Sequence, residues 1–360
     1  MSQPLTLEEF EHQGSARMPP DVRDYIGGGA GREQTLAASR AAFDRFALRP
    51  RVLVDVRAPD LSVRLLGTSL AAPIGVAPMA FHRLVHPDGE QATARAAGAA
   101  GALFVTSIFA SQSLEDIAAA ASGPLWLQLY WLRRREALAD LAQRAEAAGY
   151  RALMLTVDAA RVARRLRDVR NSFSVPPHIR AVNLDAALPE IAAYGAAGIS
   201  AIEAHSRDQF DAAVTWRDLE WLTSRTRLPL VLKGVLTAQD ALLAAEHGAA
   251  AVVVSNHGGR QLDAAVPGLI ALPEITDAVA HRIPVLFDGG VRCGADAAKA
   301  LALGARIVLV GRPVLWGLAC AGRDGAAAVL KLLRDELEEV MVLSGRPKLA
   351  DFGRDAVVEL

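Results

Sequence analysis

Residues 229–263 read PLVLKGVLTAQDALLAAEHGAAAVVVSNHGGRQLD, and their pattern decides the fold. The apolar run 229–232 ends in Lys233-Gly234. Thr237 then precedes Ala238-Gln239-Asp240, a helix start with an acid in its first turn, and the amphipathic stretch 238–247 stops at Gly248. A second run, 251–254, follows and ends in Ser255-Asn256-His257-Gly258-Gly259-Arg260-Gln261-Leu262-Asp263. Runs that are apolar throughout, rather than alternating, suit strands buried on both faces, as in a parallel sheet.

The same unit recurs in both directions. Eight runs qualify as strands: 73–77, 103–106, 125–129, 152–156, 229–232, 251–254, 284–287 and 306–310. Helices are predicted over 89–100, 113–121, 136–148, 217–226, 238–247, 272–280 and 294–303, with Ser113 as another N-cap and Gly101, Gly149 and Gly304 as further stops. Strand–helix alternation repeated eight times predicts an α/β fold, a TIM (β/α)8 barrel. A doubly wound sheet usually has fewer strands and a glycine-rich turn after the first, where this chain has Pro78-Met79-Ala80. Residues 1–71 read as helices and a short strand capping the barrel, 174–216 as a lid-like insertion after strand 4, and the tail from about 325 as a long helix. Residues 1–360 read as a single domain.

Composition removes several function classes. A net charge of -1 gives no basic field for nucleic acid. No apolar stretch reaches the length of a membrane span, and the N-terminus has no apolar signal core, so a cytoplasmic protein is expected. Cys293 and Cys320 are too few for a disulfide framework or a zinc cluster. Gly27-Gly28-Gly29-Ala30-Gly31 lacks the preceding strand of a dinucleotide loop and reads as a helix-ending loop. His82 and His86 are four apart but lack an evident third ligand, so no metal is expected.

Barrels place their chemistry at the C-terminal ends of strands. Here those ends carry Ala77-Pro78, Ser107, Gln128-Leu129-Tyr130, Thr156-Val157-Asp158, Lys233-Gly234, the 255–263 string, Asp288-Gly289-Gly290-Val291-Arg292 and Gly311-Arg312-Pro313. Glycines let main-chain N–H groups approach an anion, so the last two, each with an arginine, read as a phosphate site. His257, presented by glycines at a strand end, suits proton removal near neutral pH. Asp158 would hold its other nitrogen or cap a helix. Arg165 and Arg260 would clamp a carboxylate bidentately or form surface ion pairs. Lys233 ends an apolar strand, and a buried ammonium calls for a ligand to balance it.

The string 255–263 resembles the active-site signature of FMN-dependent α-hydroxy-acid oxidases and dehydrogenases, and the likeness runs from Asp24-Tyr25 to Gly311-Arg312-Pro313. Trp126-Leu127-Gln128-Leu129-Tyr130-Trp131 and 164–168 are most similar to the branch acting on 4-hydroxymandelate. The resemblance implies that His257 is the base, oriented by Asp158. It implies that Tyr25, Arg165 and Arg260 bind the substrate carboxylate and that Tyr130 binds its hydroxyl. Ala77, Pro78, Ser107, Gln128, Thr156, Lys233 and Ser255 would surround the flavin ring of FMN, Asp288 its ribityl chain, and Gly290, Arg292, Gly311 and Arg312 its phosphate. Phe109 and Val162 stand where glycolate oxidases carry Trp and Leu. With Met79 and Phe81 they imply an apolar pocket suited to an aryl ring. The partners implied are a small 2-hydroxy acid and O2, reduced to H2O2, in a homo-oligomer that is a tetramer among relatives. A quinone acceptor, a shorter substrate, another phosphate-binding barrel enzyme and a non-catalytic barrel are the competing readings.

Overall fold

The structure, a computed structural model, describes residues 4–187 and 209–360. The described chain begins with helices α1 (Leu7–Arg17), α2 (Pro20–Gly27) and α3 (Gln34–Ala41), strand β1 (Phe46–Leu48), and a hairpin of β2 (Val63–Leu65) and β3 (Thr68–Leu70). The repeat then runs β4 (Ile74–Val76), α4 (Gly89–Ala99), β5 (Leu103–Ser107), α5 (Leu114–Ala120), β6 (Leu125–Tyr130), α6 (Arg135–Ala147) and β7 (Ala152–Thr156). After α7 (Leu166–Arg170), α8 (Val182–Ala187) and α9 (Leu219–Thr223) it resumes with β8 (Leu230–Val235), α10 (Ala238–Glu246), β9 (Ala251–Val254), α11 (Gly268–Val279), β10 (Val285–Asp288), α12 (Gly294–Ala302) and β11 (Ile307–Val310). Helix α13 (Arg312–Leu343) and strand β12 (Val357–Glu359) follow.

Strands β4 to β11 form a closed barrel in chain order, each parallel to its neighbours, with β11 returning to β4. This is the TIM barrel expected from the eight runs. Ser113 and Thr237 cap α5 and α10, accepting hydrogen bonds from the main-chain N–H of Asp116 and Asp240.

Successive side chains on a strand point to opposite faces, and here both faces are apolar. Leu103, Val105, Trp126, Met154, Val231, Val253, Leu286 and Leu309 form an inner core. Their neighbours Phe104, Leu127, Leu153, Leu232, Val252 and Phe287 join the outer core shared with the helices. The β2–β3 hairpin adds Val63, Leu65 and Leu70 to the inner core. It attaches where strands begin: Ala71 N–H donates to the Gly101 carbonyl and Arg306 to that of Arg64. The hairpin therefore plugs the N-terminal mouth. Two residues beyond the inner apolar layer, at the opposite mouth, the same face carries Ser107, Gln128, Thr156, Lys233, Ser255, Asp288 and Gly311.

Helix α3 fastens two of the loops at that mouth. Asn256 donates to the Ser39 hydroxyl at 2.8 Å, and Asp263 accepts from the N–H of Arg32 at 2.7 Å and Thr35 at 3.0 Å. Arg40 donates to the Gly290 carbonyl at 2.8 Å and pairs with buried Asp296. β1 pairs antiparallel with β12, Phe46 opposite Glu359.

The structure departs from the sequence reading in three places. Residues 1–71 hold three short strands rather than one. α11 starts at Gly268, ahead of the expected 272, and carries Pro273 inside it, where proline reads more naturally as a helix start. The tail helix starts at Arg312, directly after β11, with Pro313 in its first turn; non-helical angles at Ala321 and Gly322 kink it, and the sequence reading saw only the part beyond. The expected insertion at 174–216 contains α8, and its part at 188–208 lies outside the described residues. Among the described residues no helix is long and apolar enough to cross a membrane.

Gly259 has φ +75°, and a Cβ there would lie 2.6 Å from the Leu36 backbone; Gly67 has φ +78° with nothing within 4 Å. Gly67→Ala should cost only the left-handed backbone penalty, about 1–2 kcal/mol. Gly259→Ala should lose roughly 1–3 kcal/mol more, because α3 must move. Urea unfolding midpoints of the two variants compare them, and equal losses would contradict this packing.

Candidate active site

The open mouth of the barrel holds a cavity of about 1150 Å³ of unfilled space, its entrance included. Of the site residues read from the sequence, all line it except Phe81, Asp158 and Ser255. Ser255 is wholly buried. Its hydroxyl accepts from Lys233 Nζ at 2.9 Å and from the His257 main-chain N–H at 3.0 Å. It braces two residues that face the cavity instead of facing it.

His257 follows β9 in a left-handed turn, φ 60°, continued by Gly258 and Gly259. Its Nδ1 lies 2.9 Å from Asp158 Oδ1, and its Nε2 lies 3.5 Å from the Tyr130 hydroxyl. Asp158 is thus paired with the imidazole rather than capping a helix. It packs over Gly234, where a Cβ would come within 2.6 Å of the Asp158 Cβ. That close approach accounts for glycine after Lys233, at an irregularity in the β8–β9 pairing. Gln261 secures the same loop, donating to the Asp158 and Arg161 carbonyls at 3.0 Å and accepting from the Ala163 N–H. Burial lowers the His257 pKa, and the Asp158 charge offsets part of that effect. For Asp158 burial pulls upward, but the His257 ring prevails and keeps the carboxyl below its usual range. Burial, then the Asp158 charge, raises the Tyr130 pKa, so its phenol stays protonated.

Positive charge collects at this mouth. Arg165 is 6% exposed, lies 4.0 Å from Asp168, and has no hydrogen-bond partner for Nε or Nη1 among the described residues. Arg260 donates to the Tyr25 carbonyl at 2.6 Å and the Gly28 carbonyl at 2.9 Å and stands over the Tyr25 ring. Its pKa is pushed down to about 10 by burial and then by the Arg165 charge. Arg312 donates to the carbonyls of Ile26, Gly28 and Gly258, and burial followed by Arg260, Arg292 and Arg165 lowers it further. Arg292 stands over Trp316 beside the glycine loop at 289–290. Anionic groups bound here would relieve this concentration of charge, and a phosphate suits the arginine–glycine loops of β10 and β11.

Two sequence readings change. The Lys233 ammonium is balanced by the protein itself, 3.0 Å from Asp288 Oδ2; the other Asp288 oxygen has no hydrogen-bond partner among the described residues. Phe81 is 1% exposed and packs behind Phe109 without lining the cavity. Sequence reasoning missed Phe173, which stacks on Tyr25 at 4.3 Å, and Phe210, which stacks on Tyr130 at 4.5 Å. Neither sits at a strand end, where the search was directed.

Residues 14–359 match the family model described as FMN-dependent dehydrogenase. The chain is 42% identical over 351 residues to the glycolate oxidase of Spinacia oleracea, covering 98% of this chain and 95% of that one. This chain belongs to the FMN-dependent α-hydroxy-acid oxidase family. Similarity to the L-lactate oxidase of a Nostoc species is 47% over 356 residues, covering 98% of this chain and 97% of the relative. A solved structure of a mandelate oxidase with (S)-4-hydroxymandelic acid superimposes with TM-score 0.94 at 43% identity, over 99% of this chain and 98% of that one. The family's cofactor, FMN, carries the phosphate that the arginine–glycine loops suit. A polar chain crosses the inner face of the mouth, Ser107 to Gln128 at 3.2 Å and Gln128 to Thr156 at 3.0 Å.

Breaking a buried ion pair strands the remaining charge. Lys233→Met should cost about 3–5 kcal/mol, and Lys233→Met with Asp288→Asn clearly less. Thermal unfolding of both would show it; a double variant as unstable as the single one would discount the pair.

Proposed function

We propose that this chain oxidises (S)-2-hydroxy acids with an aryl side chain, mandelate or 4-hydroxymandelate, to 2-oxo acids, with O2 as electron acceptor and residues 1–360 acting as one FMN-binding domain. The observation that carries the substrate class is the apolar part of the cavity lining, to which Met79, Phe109 and Val162 contribute, with Phe109 tilted against Tyr130. Burying a phenyl ring against such a lining is worth about 1.5–3 kcal/mol, which a two-carbon acid forgoes. The similar mandelate oxidase and the oxidases among the relatives support the substrate and the acceptor.

In this reading Arg292 and Arg312, with the main chain at Gly290 and Gly311, hold the FMN phosphate. Asp288 meets the ribityl chain. Lys233 meets the N1–C2 carbonyl edge, and Ser107, Gln128, Thr156 and the main chain at Ala77 and Pro78 hold the ring. FMN, when bound, supplies the two-electron acceptor for the substrate and the donor that reduces O2 to H2O2.

The remaining work belongs to side chains. Arg165, buried with two unsatisfied nitrogens, binds the substrate carboxylate, joined by Arg260 and Tyr25. Tyr130, kept protonated, hydrogen-bonds the substrate hydroxyl beside His257 Nε2. Oxidation removes two protons and an electron pair from C2–H and O–H together; His257 Nε2 accepts one of those protons, and the other would pass with the electron pair to the acceptor, FMN. Asp158 keeps the hydrogen of neutral His257 on Nδ1 and stabilises the imidazolium that forms.

The base must be neutral, and burial holds the His257 pKa below 6.5. Substrate-dependent flavin bleaching should therefore be fast at neutral pH and fall on acidification through a midpoint under 6.5. Asp158→Asn removes the charge favouring imidazolium, so it should lower the plateau by about 10²-fold or more and shift the midpoint further down. A midpoint above 7 in the free enzyme would contradict this environment.

The substrate class is tested by anaerobic mixing with glycolate, lactate, mandelate and 4-hydroxymandelate while flavin absorbance is followed. The two aryl acids should give the highest rate per substrate concentration. Preference for glycolate would overturn the aryl reading and leave the chemistry standing.

A further inference from the structure

Downstream of β6 the chain continues extended through Trp131, Leu132 and Arg133, and a short segment at 209–211 pairs with it antiparallel, Leu132 opposite Phe210. Arg133 N–H donates to the Gln209 carbonyl at 2.8 Å and Asp211 N–H to the Trp131 carbonyl at 3.0 Å. The Arg133 guanidinium adds a bond to the Phe210 carbonyl at 3.0 Å. These three bonds fix one side chain. Diagonal neighbours on paired strands stay within reach of aromatic rings, and Phe210, 3% exposed, lies on Tyr130 with ring centroids 4.5 Å apart and planes 22° apart. The His257 ring is also nearly parallel to Tyr130, at 17°. Phe109 is tilted against both Tyr130 and Phe210.

We propose that Phe210 is a positioning residue for oxidation: it fixes the Tyr130 ring so that the phenol hydroxyl meets the substrate hydroxyl beside His257 Nε2. The proposal rests on the reading of Tyr130 given above. A tyrosine ring held only at its Cβ swings its hydroxyl by far more than a hydrogen bond tolerates. Among the described residues the Tyr130 hydroxyl has one hydrogen-bond partner, His257 Nε2 at 3.5 Å, near the outer limit for a hydrogen bond. Packing, not hydrogen bonding, must therefore hold the ring. Phe210 is not among the residues lining the cavity, so its route to the reaction runs through the Tyr130 ring.

A double-mutant cycle on the FMN-loaded enzyme tests this. The limiting rate of anaerobic flavin reduction by mandelate is measured for the parent, Phe210→Leu, Phe210→Tyr, Tyr130→Phe and the Phe210→Leu/Tyr130→Phe double variant, with FMN affinity from fluorescence quenching. Phe210→Leu should slow reduction about 3- to 10-fold, the scale of one aromatic pair, with FMN affinity unchanged. Phe210→Tyr, which keeps the stacked ring, should restore the parent rate. In the Tyr130→Phe background Phe210→Leu should add nothing. Slowing by the same factor in both backgrounds would overturn the proposal while leaving the role of Tyr130 intact. Loss of FMN in Phe210→Leu would also overturn it, in favour of a purely structural role. A Tyr130→Phe enzyme as fast as the parent would overturn the reading of Tyr130 and this proposal with it.

Discussion

Crowding several guanidinium groups around one cavity requires something to replace the water they lose. Arg260 and Arg312 find it in carbonyl oxygens, and most of those come from one place: Tyr25, Ile26 and Gly28, at the end of α2 and in the glycine-rich loop beyond it. A barrel strand has its carbonyls engaged in the sheet and cannot lend them. The N-terminal helices are therefore part of the electrostatics of the mouth as well as its cover. The stretch 27–31 has no strand before it and cannot work as a dinucleotide loop, yet its bare backbone is what lets carbonyls crowd onto arginine. Arg165 has no such set of acceptors, and the most exposed need for an anion sits on the side chain best placed to meet a carboxylate.

The barrel was legible because its strands are apolar on both faces and its glycines and N-caps punctuate the repeat. The same property hid the distinction between inner and outer core, since Val253 and Val254 look alike in sequence and point into different compartments. The ring of polar residues at the mouth could be read because polarity at a strand end breaks an apolar run. Two kinds of feature stayed out of reach. One is the partner of a buried charge: Lys233 reads as needing a ligand until β10 brings Asp288 to 3.0 Å. The other is a contact made by chain far away in sequence. Phe210 is placed on Tyr130 by an extended pairing that no local pattern announces.

His257 shows how local strain and long-range packing meet. A non-glycine residue at φ 60° is held there at some cost. The turn persists because its surroundings leave little choice: the Ser255 hydroxyl takes its N–H, Asp158 takes Nδ1, and Gly258 and Gly259 continue the left-handed path beneath Leu36. The imidazole is aimed by backbone geometry and by its carboxylate partner together.

The pairing of β1 with β12 has a bearing on how the molecule is made. Arg45 and Glu359 are joined by an ion pair although 314 positions separate them. A ribosome releases every barrel strand before it releases the segment that anchors residues 46–48. Docking of that segment must wait until synthesis has passed residue 359. A nascent chain can thus close its barrel before residues 46–48 meet their partner strand.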